Sequence, residues 1–311
     1  MSLNKYILVT PAKDEADNLP ALIKSVICQS IVPVVWFIVD DNSVDNTSEI
    51  INQSSLKYPW IHIVKLDEKH VYGAGKSYSI AAKAGFDEAI AYCKNNNIIF
   101  DFIALADADM IFLNDYFISC INFLNLNQEY GIVSGNLLIK DSKGTFYKED
   151  SFTFGDGVPY GGGRVFRKKA FFDSCGDIVA QAPDSVSNIL ALDKGWKLKR
   201  LIDVLYYQTR DTAGKNSVWK GYIKRGERSY YLHQNPLTIV NNVIIMLFFS
   251  QQKSKLIKIC GLVVGYNKAI ICRDEQLENE AVRKYCSSYK RVFKNYQIFL
   301  KEKINHIHQS Y

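Results

Sequence analysis

Three sets of acidic side chains stand where an apolar run stops. Glu15 follows Tyr6-Ile7-Leu8-Val9 and its closing Thr10-Pro11-Ala12, Asp40-Asp41 follows Val34 to Val39, and Asp107-Ala108-Asp109 lies between Leu105-Ala106 and Met110-Ile111-Phe112. Carboxylates so placed suit a hard divalent cation, because Mg²⁺ and Mn²⁺ take oxygen ligands and keep room for phosphate oxygens. Taken alone, Asp40-Asp41 reads equally as a helix cap or a solvated turn. Asp107 and Asp109 resist that reading, since two charges inside an apolar run need a partner and a cation supplies one.

The elements that must position these groups follow from the pattern around them. Tyr6 to Val9, Val34 to Val39, Ile61 to Val64 and Phe102 to Leu105 read as short buried strands. Between them, Asp17-Asn18-Leu19-Pro20 opens a helix with Leu19, Leu22, Ile23, Val26 and Ile27 at helical spacing. Further helices are expected from about Asp45 and from near Gly75. Strand and helix thus alternate as in a doubly wound, mostly parallel α/β sheet, where ligands bind at the carboxyl ends of the strands. Past about Asn136 the alternation loosens into a glycine-rich stretch from Phe154 to Arg164, and from Pro236 the chain turns to apolar helical material and a basic, Tyr-rich tail.

The 311 residues are 48% hydrophobic and 23% charged, which excludes a disordered or fibrous chain. Seven dispersed cysteines without metal spacing argue for reduced thiols, against a disulfide framework or zinc module. A strand beginning at Tyr6 leaves no room for a secretory signal, so a cytoplasmic location is expected. Residues 250–311 hold twelve Lys or Arg against five Asp or Glu, a net +7 in a chain whose total is +6. That asymmetry points to an anionic partner.

Leu237 to Phe249 would make a helix of about 20 Å, short of the ~30 Å hydrocarbon core of a membrane. A second apolar stretch, Leu256 to Cys272, is broken by Lys258 and Lys268, and Tyr266, Tyr285, Tyr289 and Tyr296 accompany the basic residues. This is the composition of a surface lying on anionic lipid. A helical subdomain packed on the preceding domain is the plainer alternative. No nucleic-acid recognition motif is present, so no nucleic-acid partner is expected.

Tyr6 to Asp41 resembles the opening of the family 2 glycosyltransferases, in which an apolar strand, a proline and a Glu lead to a helix and then to a strand ending in Asp-Asp. Pro11, Glu15, Val39-Asp40-Asp41-Asn42-Ser43 and Asp45-Asn46-Thr47 carry that likeness, and Asp107-Ala108-Asp109 matches the family's DXD motif. The resemblance covers roughly residues 5 to 235. It implies a GT-A type doubly wound sheet flanked by helices, with a C-terminal helical, basic region beyond it. The organisation expected is a catalytic domain over 1–235, with a nucleotide-binding half to 135 and an acceptor half after it, and a helical basic tail over 236–311.

The resemblance also implies roles. Thr10, Pro11, Ala12, Glu15 and Asp41 match positions lining the nucleotide pocket, Asp41 at the base. Asp109 matches the carboxylate on the metal that bridges the diphosphate, with Asp107 and Ala108 beside ribose and metal. Gly73-Ala74-Gly75-Lys76 resembles the segment that approaches the phosphates, although an ordinary helix start with a solvated lysine would look the same. Gly161-Gly162-Gly163-Arg164 resembles the strand before the acceptor site, which implies Gly162, Gly163 and Arg164, with Gln208 and Arg210 further on, as acceptor or phosphate contacts, and a bulged strand needing glycine would look the same. Asp184 matches the general base, with helix capping as its bland alternative. Where many relatives carry a His-His-Arg-like stretch, this chain has Gln208-Thr209-Arg210. The Gln-x-x-Arg-Trp motif of processive synthases is absent, and Arg225 and Arg228 in that region read as phosphate contacts or as a solvated basic face.

The function these features imply is inverting, Mn²⁺- or Mg²⁺-dependent transfer of one sugar from a nucleotide-diphosphosugar to a saccharide or lipid-linked acceptor. Its expected setting is polysaccharide or glycan assembly at the inner face of the cell membrane. A sugar nucleotidyltransferase would need a glycine- and arginine-rich loop after the first strand, which Pro11-Ala12-Lys13-Asp14 is not. A non-catalytic nucleotide-sugar-binding scaffold with a degenerate site is the remaining alternative.

Overall fold

A computed structural model describes residues 4–66, 74–140, 146–148, 157–175, 179–209, 218–249 and 254–288. The described residues up to Thr209 form one compact unit and those from Val218 onward a second.

The first unit is built on a nine-stranded sheet. Its parallel half comprises β1 (Tyr6–Ala12), β2 (Val35–Asp40), β3 (Ile61–Lys65) and β4 (Phe102–Leu105), in the order β3-β2-β1-β4. β1 and β2 are buried along their whole length, which is why they read as unbroken apolar runs rather than alternating ones. One face packs Leu8, Trp36 and Phe102 against α1 (Leu19–Ile27) and α4 (Tyr116–Leu126). The other packs Ile7, Phe37 and Ile103 against α3 (Ala74–Asn95) and α5 (Lys168–Ser174). Beyond β3, α2 spans Thr47–Lys57.

Past β4 the sheet becomes mixed. It continues through β8 (Arg164–Arg167), β6 (Tyr130–Lys140), β9 (Lys197–Gln208) and β5 (Met110–Phe112), with β7 (Phe146–Lys148) on β6 and α6 (Pro183–Asp193) between β8 and β9. β8 runs antiparallel to β4 and β6, β6 and β9 pair parallel, and β5 is antiparallel to β9. Two register pairs matter for the site: Leu105 faces Arg164, and Met110 faces Gln208. They bring the segments 161–164 and 208–209 beside the Asp107-Ala108-Asp109 turn.

The second unit holds α7 (Val218–Tyr231), α8 (Pro236–Phe249), α9 (Lys255–Cys272) and α10 (Glu280–Ser287). α7 and α9 pack backbone to backbone. A Cβ at Gly226 would overlap the Leu262 carbonyl oxygen, and one at Gly265 would overlap that of Ile223. Ile239 of α8 joins Leu262 and Tyr266 of α9 in a small apolar core. No helix among the described residues is long and apolar enough to cross a membrane.

Candidate functional site

The parallel strands deliver their ends to one edge. Ala12 pairs with Asp40, the Asp41 amide donates to the Ala12 carbonyl over 2.8 Å, and the Ala106 amide donates to the Val9 carbonyl over 3.0 Å. The loops after β1 and β2 are then stapled together. The Glu15 amide donates to Thr47 Oγ1 (2.8 Å), the Ala16 amide to Asp45 Oδ2 (3.0 Å) and the Val44 amide to Asp14 Oδ1 (2.8 Å). Asp14 and Asn42 both adopt φ of 53° in these loops, a left-handed conformation that Asp and Asn tolerate better than other side chains.

The candidate nucleotide residues divide by what already holds them. The Thr10 hydroxyl, fully buried, accepts from Trp36 Nε1 over 3.0 Å, and Ala12 lies in the core. Their side chains serve the sheet rather than the loop edge, and Pro11 is buried beside them. Asp41 is buried with Lys13 Nζ 3.7 Å from its carboxylate. Lys76 sits in the first turn of α3, where a Cβ on the preceding Gly75 would overlap the Gln181 carbonyl oxygen. That glycine is therefore required by the packing of α3 on the segment before α6. Gly73 and Arg210 lie outside the described residues.

A hydrogen-bonded chain links Glu15 to the DXD turn. Asn18 Nδ2 donates to Glu15 Oε2 (2.8 Å), Thr209 Oγ1 donates to Asn18 Oδ1 (2.7 Å), and the Thr209 amide donates to the Asp109 carbonyl (2.9 Å). Gln208 Nε2 donates to Asp109 Oδ2 over 2.9 Å, both residues being buried.

A second cluster surrounds Asp107. The Tyr78 hydroxyl donates to Asp107 Oδ1 over 2.5 Å. A Cβ at Gly162 would stand 2.9 Å from Asp107 Oδ2, and one at Gly161 would overlap the Asp184 carboxylate. Only a backbone without side chains passes between these two acids. Gly163 takes a φ of 78°, natural to glycine, and its carbonyl accepts the Tyr116 hydroxyl. Burial pushes the Asp107 carboxyl up to about 7; the Tyr78 bond opposes this, and the charges of Asp109 and Asp184 add to it.

Arg164, expected at the acceptor or on a phosphate, instead faces inward with 1% of its surface exposed. Its Nε donates to the Tyr160 carbonyl (2.8 Å), Nη1 to Ser187 Oγ (2.8 Å), and Nη2 to the carbonyls of Pro159 (3.2 Å) and Asp184 (3.3 Å). Nε also lies 4.0 Å from Asp184 Oδ1. The guanidinium ties the start of α6, and with it Asp184, to the glycine segment. Asp184 itself, in the first turn of α6, keeps 45% of its side chain exposed. Arg225 and Arg228 belong to α7 in the second unit.

Sequence reasoning missed Tyr78 and Tyr206. The Tyr206 hydroxyl is buried without a hydrogen-bond partner among the described residues, in the field of Asp107, Arg164 and Asp184. Tyr78 could have been found from its place one turn into α3, because helix N-termini share an edge with strand carboxyl ends in such a sheet.

Among the described residues no three His, Cys, Asp or Glu gather at one point to hold a metal ion, and Asp107 and Asp109 are two carboxylates just past the end of β4. Two carboxylates fit Mg²⁺ or Mn²⁺, which complete their shell with water and substrate phosphate oxygens.

Residues 7–182, more than half the chain, match the model of "Glycosyl transferase family 2". Among solved structures, the chain is similar to the mannosyltransferase PcManGT from Pyrobaculum calidifontis in complex with GDP-Man and Mn²⁺. The two share 13% identity over 96% of this chain and 88% of that one, with a TM-score of 0.53. Residues 1–349 of S. aureus TarS in complex with UDP-GlcNAc give 13% identity, coverages of 93% and 82%, and a TM-score of 0.51. GalNAc-T7 with UDP, GalNAc and Mn²⁺ gives 11% identity, coverages of 68% and 44%, and a TM-score of 0.50. No curated protein matches the sequence. The family match over the parallel sheet and its loops, joined to a fold shared with solved glycosyltransferases, identifies the chain as a member of glycosyltransferase family 2 and a sugar-transferring enzyme.

Proposed function

We propose that this enzyme moves a single sugar, with inversion, from a nucleoside-diphosphosugar to an acceptor hydroxyl. The observation that carries the reading is the approach of Asp184, on the first turn of α6, to Asp107 at the end of the parallel sheet, with the Gly161-Gly162 backbone passing between the two carboxylates. The complexes of PcManGT with GDP-Man and Mn²⁺ and of TarS with UDP-GlcNAc support a nucleotide-sugar donor.

In this reading Asp41 and Glu15 hold the nucleoside, and Lys76 faces the diphosphate. Asp107 and Asp109 would hold Mg²⁺ or Mn²⁺, whose charge offsets that developing on the diphosphate as it leaves. Asp184 takes the proton of the acceptor hydroxyl while the acceptor oxygen bonds to the anomeric carbon and the bond to the diphosphate breaks. Attack from the face opposite the leaving group inverts that carbon. Arg164 and Ser187 fix Asp184 from behind, and Gln208 and Tyr78 fix the two metal carboxylates. The absence of the processive motif supports transfer of one sugar. The basic tail supports a saccharide or lipid-linked acceptor at the inner membrane face, with catalysis in residues 1–235 and membrane contact in 236–311.

Melting the protein with UDP, GDP, dTDP and CMP, with and without Mn²⁺, tests the reading. Saturation at about one hundred times the dissociation constant adds about 2.7 kcal/mol, a shift of a few degrees. One nucleotide should give that shift with metal, and Asp109→Asn should abolish it. Asp184→Asn should keep the shift and lose transfer. A protein indifferent to every nucleotide would overturn the proposal.

A further inference from the structure

α8 and α9 each carry two apolar faces, and only one face of each is used. α8 buries Ile239, Ile245 and Met246, yet leaves Leu237, Val240, Ile244, Leu247 and Phe248 exposed, Phe248 by 77%. At helical spacing those five fall within an arc of about 100°. α9 turns Gly261, Leu262 and Gly265 inward and exposes Leu256, Ile257, Val264 and Ile271 on the opposite side. Isolated exposed apolar residues are ordinary, but continuous stripes on consecutive helices mark a contact surface.

We propose that these outer faces of α8 and α9 seat the enzyme on an anionic lipid surface. α8 carries no charged residue and its 14 residues extend about 21 Å, less than the ~30 Å needed to span a bilayer, so it lies in the plane of the interface. The net charge of +7 that the sequence carries over 250–311, half of its basic residues lying outside the described residues, favours an anionic occupant. A second copy would set that charge against its like, whereas anionic headgroups neutralise it while acyl chains take up the stripes. Lys255, whose ammonium donates to the Leu247 carbonyl over 3.1 Å, and the exposed Arg273 that caps α9 put a basic group at each end of the helix. The surface deepens the membrane-acceptor reading above, and its test is separable from that of sugar transfer.

The full chain is sedimented with vesicles of phosphatidylcholine alone and with about one third phosphatidylglycerol. Binding should be at least about tenfold stronger to the anionic vesicles and should weaken as salt rises. The exposed-face variant I244D/F248D should lose about tenfold in binding while keeping its helical circular dichroism and any nucleotide-dependent melting shift. Absent or charge-independent binding, or unchanged binding by the variant, would overturn the proposal. So would a wild-type dimer that I244D/F248D dissociates, which would assign the stripes to a second copy. Loss of the nucleotide shift with vesicle binding intact would instead count against the donor reading alone.

Discussion

Gln208 donates its side-chain amide to Asp109 Oδ2 over 2.9 Å, from the strand position facing Met110. Gln208 is thus an orienting group for the Asp109 carboxylate. Hydrogen bonds to charged groups are each worth about 1.5–3 kcal/mol. Gln208→Leu should therefore weaken Mn²⁺-dependent nucleotide binding by about tenfold or more, read as a larger dissociation constant by calorimetry. Unchanged affinity would remove Gln208 from the site.

Arg164 is a second orienting group, and its removal should cost stability as well as activity. Truncation to Met removes the buried donor that Arg164 supplies to the carbonyls of Pro159 and Tyr160 and to the Ser187 hydroxyl, while the Asp184 carbonyl keeps its bond from Ser187. A loss of at least about 3 kcal/mol is expected in denaturant unfolding. Arg164→Lys should recover little of it, since one ammonium cannot reach partners arrayed around a planar fork.

Gly161→Ala should separate catalysis from folding. The added methyl must displace the Asp184 carboxylate, which is half-exposed and has solvent to move into. The melting temperature should change by no more than a degree or two, while turnover falls about a hundredfold because the base is misplaced by about an ångström. Equal activity would argue against Asp184 as the base.

Asp107 should make stability depend on pH. Its carboxyl loses its proton at about 7 in the fold, against 3.8 ordinarily. Between those values the folded state holds a proton that the unfolded state has released, so stability falls as pH rises from about 4 to 7 and then levels. Asp107→Asn should flatten this slope in thermal melts without added metal. Stabilisation by Mn²⁺ should grow over the same range, since the cation displaces that proton.

The parallel half of the fold was legible because buried strands leave no ambiguity of face: Phe102 to Leu105 reads as a strand and is β4. Asp107 and Asp109 were visible as interruptions of an apolar run. β9 was harder, since Lys197, Lys199, Arg200 and Asp203 interrupt its apolar residues. Arg164 misled for a physical reason: a cation after three glycines suggests a ligand, and only the fold reveals the carbonyls of Pro159, Tyr160 and Asp184 that consume it. Tyr78 was silent because its bond to Asp107 joins residues 29 apart in the chain.

The glycine seam between α7 and α9 locks the two helices against axial sliding. With Gly226 against Leu262 and Gly265 against Ile223, sliding either helix by one residue drives a side chain into a carbonyl. The pair therefore has one axial setting and no gradual approach to it. A residue inserted within either helix would break this setting, whereas one inserted in the connections between helices would leave it intact.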